Sequence, residues 1–256
     1  EDVADTLGNL LDILEAMSIK TIKVGTVEAD DIIGTIATLA AADGAKVTIV
    51  SSDKDFMQLL TPNCSLLRPH KKVDLSARSV EDQQGTLAGG GVGKYYTSDD
   101  FLEEFGFDAE KHIDVLALMG DASDNIPGVK GIGMKYAVKV VQSVGSIEEA
   151  FANVDAVEPK RARTCLSAED AQASAALSKM LVTIECGLEG LPYTWDECRV
   201  DKPADGGDVA VSIFEMFEFR SIVARYEKLL GGMGTEDWSI VSEQPQSPPV
   251  IGEAPF

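Results

Sequence analysis

Basic residues are scarce in this chain. Lysine and arginine number 22 against 43 aspartates and glutamates, a formal net charge of -21. That balance excludes binding to nucleic acid through a broad basic face. It leaves room for a local contact, or for a basic part supplied from elsewhere. Cysteine is sparse too: Cys64, Cys165, Cys186 and Cys198 lie far apart, with no CxxC pair. This spacing excludes the usual zinc sites and a disulfide framework, and a reducing intracellular compartment follows as the default. Nucleus, organelle and bacterial cytoplasm all fit. No apolar run reaches membrane-spanning length, and no signal-peptide pattern opens the chain. The first residue is Glu1 rather than Met, as expected of a fragment, a processed product or a trimmed chain. No internal repeat is visible.

What is present suffices for a sizeable core. The chain has 256 residues, 45% of them hydrophobic, enough for one large domain or for one plus a small one. Val3, Leu7, Leu10, Leu11 and Leu14 recur at helical spacing, which predicts a helix over Asp2–Met17. Thr21–Val24 reads as a short strand. A buried helix follows, with Ile32, Ile33, Ile36 and Ala40 inside. Gly44 ends it, and Lys46–Val50 reads as a β-branched strand leading to a short FMQLL helix; Ser65–Arg68 reads as another strand. Ser79–Lys94 reads as a flexible, irregular insertion. Helices are then expected over Thr97–Phe105, Asp108–Met119, the stretch after Gly133, and a short segment capped by the Ser146–Glu149 box. Ser167–Asp170 should cap a further helix through Lys179. Leu181–Ile184 is a candidate strand, and Asp208–Phe217 and Ser221–Leu230 are helical. From about Gly231 the chain turns Gly-, Ser- and Pro-rich, the composition of a disordered tail or linker.

Three knots of acid stand out against this frame. Glu28, Asp30 and Asp31 crowd the first turn of a helix, where the dipole favours one or two acids rather than three. Asp53 and Asp55 follow a strand directly, the place where open α/β sheets carry their sites. One of them would serve as a helix cap, so the other is surplus. Asp121 and Asp124 flank Ser123 just after a helix. Brought together, these carboxylates would repel strongly unless divalent cations neutralised them. Oxygen-only ligands, with no histidine or cysteine nearby, suit Mg²⁺ or Mn²⁺. Two such ions could activate water for phosphodiester hydrolysis.

Directly after Asp124 comes the glycine hairpin Pro127–Gly133, which opens a helix. The amides of Ile132, Gly133 and Met134 would be free donors at a helix N-terminus, a ready phosphate site. Lys130, Lys135 and Lys139 remain for solvent or phosphate. Other readings of these motifs fail on spacing. A calcium loop counted from Asp121 needs Gly and Glu where Ile126 and Ile132 stand. A dinucleotide loop needs a preceding strand and a differently placed third glycine. The AGGGVGK run misses the P-loop at Ala88 and Tyr95.

EADDIIGTIA, TIVSSDKDFMQLL and GDASDNIPGVKGIGMKYA resemble, in this order, the three signature blocks of the 5′–3′ exonuclease and flap endonuclease family, most closely its bacterial polymerase-I type. FEFRSIVARYEKL resembles the family's closing segment, and the likeness runs from Glu1 to about Leu230. The resemblance implies an α/β fold: a PIN-like parallel-sheet nuclease core, N-terminally truncated, over 1–118. A mainly helical helix–three-turn–helix DNA-binding region over 119–230 would follow, then a tail over 231–256. It implies that Glu28, Asp30, Asp31, Asp53, Asp55, Asp121 and Asp124 are metal ligands or acids directly behind them, with Glu28, Asp30, Asp53 and Asp55 nearest the metals, Asp31 more often a structural partner in the family, and Asp121 and Asp124 at the second of two ions. Gly128, Val129, Lys130, Gly131, Ile132, Gly133 and Lys135 match the hairpin that holds duplex backbone, often with a monovalent cation such as K⁺. The implied partners are DNA 5′ ends, flaps and duplex backbone, and a fused or partner polymerase, with the chain acting as a monomer and no membrane involved. The family's opening strand with its Asp, a second Asp and its basic helical arch are expected to be missing here. That leaves an alternative: a catalytically incomplete module that only holds duplex DNA through the hairpin.

Overall fold

The computed structural model describes residues 3–69, 86–87, 91–198 and 203–232. In chain order the elements are α1 (Val3–Ala16), α2 (Ala29–Ala42), β1 (Val47–Val50), β2 (Cys64–Pro69), β3 (Thr86–Leu87), β4 (Gly91–Tyr96), α3 (Ser98–Phe105), α4 (His112–Met119), α5 (Met134–Val144), α6 (Ile147–Ala152), α7 (Lys160–Leu166), α8 (Ala171–Val182), α9 (Asp208–Met216) and α10 (Arg220–Gly232). They fall into two compact units. One is Lys23–Trp195; the other joins Glu1–Ile22 to Asp196–Phe256.

The larger unit carries an α/β layer and a helical region. Its sheet has the order β1-β2-β4-β3, with β1 and β2 parallel and the remaining pairs antiparallel. The parallel character expected from the sequence is therefore confined to β1–β2 among the described residues. β4 corrects the reading of Ser79–Lys94 as irregular, because Thr86–Leu87 and Gly91–Lys94 are strand residues. The cause is the close pairing at Gly93, where a Cβ would lie 2.8 Å from the Arg68 carbonyl oxygen. Residues 79–85 and 88–90 of that segment lie outside the described residues.

α4 is the hub of this unit. Val115, Leu116, Ala117 and Leu118 are all buried, so the helix is buried on successive faces and packs on both α5 and α8. Phe101, fully buried, meets Phe107 edge-on at 5.1 Å and His112 at 5.3 Å between ring centres. Burying a ring of that size stabilises the fold by roughly 2–3 kcal/mol. α4 ends at Gly120, whose φ of +71° turns the chain sharply into Asp121.

Two expected strands are absent. Thr21–Val24 is extended, with Ile22 and Val24 half-buried and Thr21 and Lys23 exposed, but no strand among the described residues pairs with it. Leu181–Ile184 fails because α8 continues through Val182. The chain beyond is held by side chains rather than by a ladder. Gln58 bonds both the Val182 carbonyl and the Ile184 amide, and the Thr35 hydroxyl donates to the Glu185 carbonyl. Helix starts also shift. Ser167 donates to the Arg163 carbonyl at the end of α7 instead of capping α8, which begins at Ala171. The FMQLL helix is a 3-10 turn over Asp55–Leu59. In α2, Ile32 and Ala40 are buried as expected, whereas Ile33 is exposed.

The smaller unit is helical. Phe214 and Tyr226 meet edge-on at 5.6 Å, and Ile13, Ala16 and Met17 of the α1 end pack around them. Asp205 caps α9 by accepting from the Gly207 and Val209 amides. The tail over 233–256 lies outside the described residues. No helix among the described residues is long and apolar enough to cross a membrane.

Candidate active site and hairpin

The first acid knot sits where the chain turns into α2. Glu28 precedes the helix and makes no cap hydrogen bond; Asp30 and Asp31 occupy the first turn. Asp31 has a structural task. Its Oδ1 accepts the Glu185 amide at 2.9 Å and so ties α2 to the chain after α8. Asp30 is different. Burial pushes its carboxyl above the usual range, and the charges of Asp53, Glu28 and Asp31 push the same way.

The second knot leaves the end of β1. The Ser51 hydroxyl accepts the Asp53 amide, and Asp53 Oδ1 accepts the Asp55 amide at 2.9 Å. Asp53 thus steadies the entry to the 3-10 turn, whose N-cap residue is Lys54, and Asp55 is the surplus carboxylate. Its Oδ1 is buried without a hydrogen-bond partner. Burial, then Asp53, pushes its pKa up to about 6, with Asp121 and Asp124 adding to the rise and Lys54 opposing it.

Asp121 opens the third knot. Its backbone pairs with Ile126 in a two-bond bridge, closing a tight loop in which Asn125 takes φ +57°. Asp121 Oδ2 is ion-paired to Lys54 Nζ, while Oδ1 accepts from the Ser123 amide and hydroxyl. Lys54, then Ser123, holds this carboxyl down to about 2. Asp124 is exposed at the loop tip.

The structure therefore links the three knots as electrostatic neighbours: Asp30 with Glu28, Asp31 and Asp53, and Asp55 with Asp53, Asp121 and Asp124. Among the described residues, no three histidine, cysteine or acidic side chains converge to hold a metal ion as they stand. One feature does suit a divalent cation. The orphaned Asp55 oxygen is buried beside like charges, and a hard, oxygen-seeking ion would relieve both penalties.

The hairpin corrects part of the phosphate reading. The Ile132 amide is not free, because it donates to the Val129 carbonyl within the turn. Val129 donates to Leu118, and the Gly128 amide donates to Ser178 Oγ at 2.9 Å. Ser174 Oγ donates to the Gly128 carbonyl from the same face of α8. Gly128, Val129 and Ile132 are buried and hold the turn in place; Lys130, Gly131, Gly133 and Lys135 are exposed. Nothing lies within 4 Å of where a Gly133 Cβ would be, so the start of α5 is open to a close ligand. The sequence assigned no role to Lys54, Ser123, Ser174 or Ser178. A cation set between two aspartates, and serines four apart on one helix face, were the available signals.

Comparison with known proteins supplies the rest. A 5′-3′ exonuclease N-terminal resolvase-like domain model matches residues 1–85, and a 5′-3′ exonuclease C-terminal SAM-fold model matches residues 107–206. DNA polymerase I of Streptococcus pneumoniae is 36% identical over 189 residues, which is 72% of this chain and 19% of that protein. Thermostable DNA polymerase I of Thermus filiformis is 31% identical over 234 residues, 91% of this chain and 24% of that protein. The chain thus spans only about a fifth to a quarter of these relatives. The crystal structure of human GEN1 in complex with Holliday junction DNA aligns with a TM-score of 0.53 at 14% identity. It covers 89% of this chain and 52% of that one, a likeness of fold alone. With both halves of one nuclease family matched in order along an α/β layer and a helical region, the chain belongs to the 5′–3′ exonuclease family.

Proposed function

We propose that this chain is the 5′ nuclease part of a DNA-processing protein. It would act as a structure-dependent 5′–3′ exonuclease or 5′ flap endonuclease that hydrolyses phosphodiester bonds in primer removal or repair. The observation that carries this reading is Asp55. It is a buried, partnerless carboxylate oxygen among Asp53, Asp121 and Asp124, with its pKa raised to about 6. Such a group is costly in a structural role and useful in a metal site.

In this reading Asp30, Asp53 and Asp55 hold the first ion, with Glu28 close by and Asp31 fixing the helix start. Asp121 and Asp124 hold the second. Held there, Mg²⁺ or Mn²⁺ would supply Lewis-acid activation of water and charge relief at the leaving oxygen. The carboxylates position and do not attack. The exposed start of α5, with Gly131, Gly133, Lys130 and Lys135, receives the duplex backbone, and K⁺ is a candidate companion there. Gly128, Val129 and Ile132 shape that surface from beneath. A nuclease core over 1–118 and a helix–three-turn–helix region over 119–230 divide the work. The polymerase I relatives support a fused or partner polymerase, and the chain acts as a monomer in a reducing compartment.

Asp53→Ala or Asp121→Ala in the longest natural form is expected to abolish Mg²⁺-dependent cleavage of a 5′-flap substrate while the circular dichroism spectrum is kept. Cleavage retained in both variants removes the assignment. A second reading has its own support, since both Asp121 oxygens are already engaged. There the chain only holds duplex DNA through the hairpin, and Mg²⁺ leaves its melting temperature unchanged.

A further inference from the structure

We propose that Lys54 is a tethered cation occupying the second-ion half of the acid site, and that it must leave Asp121 before that half takes a divalent ion. The inference rests on the nuclease reading above. It adds an order of loading and a positioning residue.

The two halves of the site are unequally supplied with positive charge. Lys54 Nζ sits on Asp121 Oδ2 and is also attracted by Asp55 and Asp124. Ser123 takes the other oxygen of Asp121 through its amide and hydroxyl. Neither oxygen of Asp121 is therefore available to an incoming ion. The other half is covered more thinly. Asp30 is raised by burial and by the charges of Asp53, Glu28 and Asp31, and Asp55, which feels Lys54 only as a neighbouring charge, keeps Oδ1 buried without a partner. An ion arriving there meets repelling carboxylates and no ammonium seated on them. An ion arriving at Asp121 must first displace an ammonium.

Lys54 is placed to make that move. Its carbonyl accepts the Met57 amide, so the backbone is pinned in the turn. Its side chain is 41% exposed while that of Asp121 is 6% exposed. The ammonium can swing into solvent without opening the core, and the carboxylate stays put. A lysine is a point charge on a flexible stem, suited to such an exchange. The same displacement explains how Asp121 can belong to a metal site although both its oxygens have partners.

The test is a binding isotherm for Mn²⁺, by calorimetry and by electron paramagnetic resonance counting of free ion. It compares the natural chain with Lys54→Met, Lys54→Gln and Lys54→Arg. The natural chain is expected to show a tight step and a weaker one. Lys54→Met and Lys54→Gln should tighten the weaker step about tenfold or more and leave the tighter one nearly unchanged, the scale expected from removing one adjacent charge in a partly exposed site. Lys54→Arg should restore the weak second step. If both neutral variants bind the second ion no tighter than the natural chain, Lys54 is a structural counter-charge and the inference falls, while the nuclease reading stands. Should neither the natural chain nor the variants bind Mn²⁺, both fall together. Two neutral variants guard against one that does not fold, and circular dichroism identifies it.

Discussion

Gly128 presses against Gly120. A Cβ on Gly128 would lie 2.4 Å from the Gly120 nitrogen, and one on Gly120 would lie 2.7 Å from the Gly128 nitrogen. Both have positive φ, +59° and +71°. The contact is backbone on backbone, so no side chain can give way. It fixes the exit of α4, which carries Asp121, against the entry of the hairpin. Gly128→Ala is therefore expected to destabilise the chain by about 2–4 kcal/mol, since an unrelievable clash adds to backbone strain. Urea unfolding with an unchanged slope checks it, and a loss below about 0.5 kcal/mol would show that the two turns can slide apart.

His112 supplies a pH dependence beside the acid site, next to the Lys54 backbone. Burial among Phe101 and Phe107 holds its pKa down to about 4, against a weaker upward pull from the Lys54 backbone. The folded chain thus resists protonation that the unfolded chain accepts near pH 6.5. Stability is full above that value and falls as pH drops from about 6.5 to 4, by up to roughly 2–3 kcal/mol. His112→Phe should flatten this part of the profile of unfolding free energy against pH.

Asp55 has the opposite sign. Its folded pKa of about 6 exceeds the ordinary carboxylate value, so the folded state holds the proton more tightly than the unfolded one. Without metal, stability should fall as pH rises from about 4 to 6 and stay low above it. Asp55→Asn is expected to stabilise the metal-free chain at pH 7 by about 1–2 kcal/mol, allowing for solvent screening. The same variant should blunt the rise in melting temperature on adding Mg²⁺, which differential scanning calorimetry measures.

Lys179 bridges two acids of unequal depth. It pairs with Asp114, nearly buried, and with the exposed Glu148, both at 2.8 Å. Lys179→Met leaves the Asp114 charge buried and unpaired and should cost about 3–5 kcal/mol. Glu148→Gln removes only the exposed partner and should change stability by less than about 1 kcal/mol. Thermal unfolding of the two variants side by side checks the contrast.

What the sequence made legible was local. The apolar period of α2 and α5, the Ser146 cap, and the acids at helix and strand ends depend on neighbours a few residues away. The parts that stayed hidden depend on partners far along the chain. Thr21–Val24 has the alternation of a strand, but alternation supplies no partner. The stretch after Val182 is straightened by Gln58, Thr35 and Asp31, more than a hundred positions upstream. Gly91–Lys94 reads as a flexible glycine run because the reason for Gly93 is the Arg68 carbonyl on another strand. The acid site was legible as residue types, while Lys54 between two aspartates looks like any solvated charge until Asp121 is seen beside it.

The serine pair on α8 gives the hairpin a built-in reporter. The Gly128 proton is sealed by a hydroxyl with no solvent exposure at all. Its deuterium uptake can proceed only when α8 lifts away, so one glycine resonance, followed over hours, reads how often the surface proposed to receive DNA comes loose from its support.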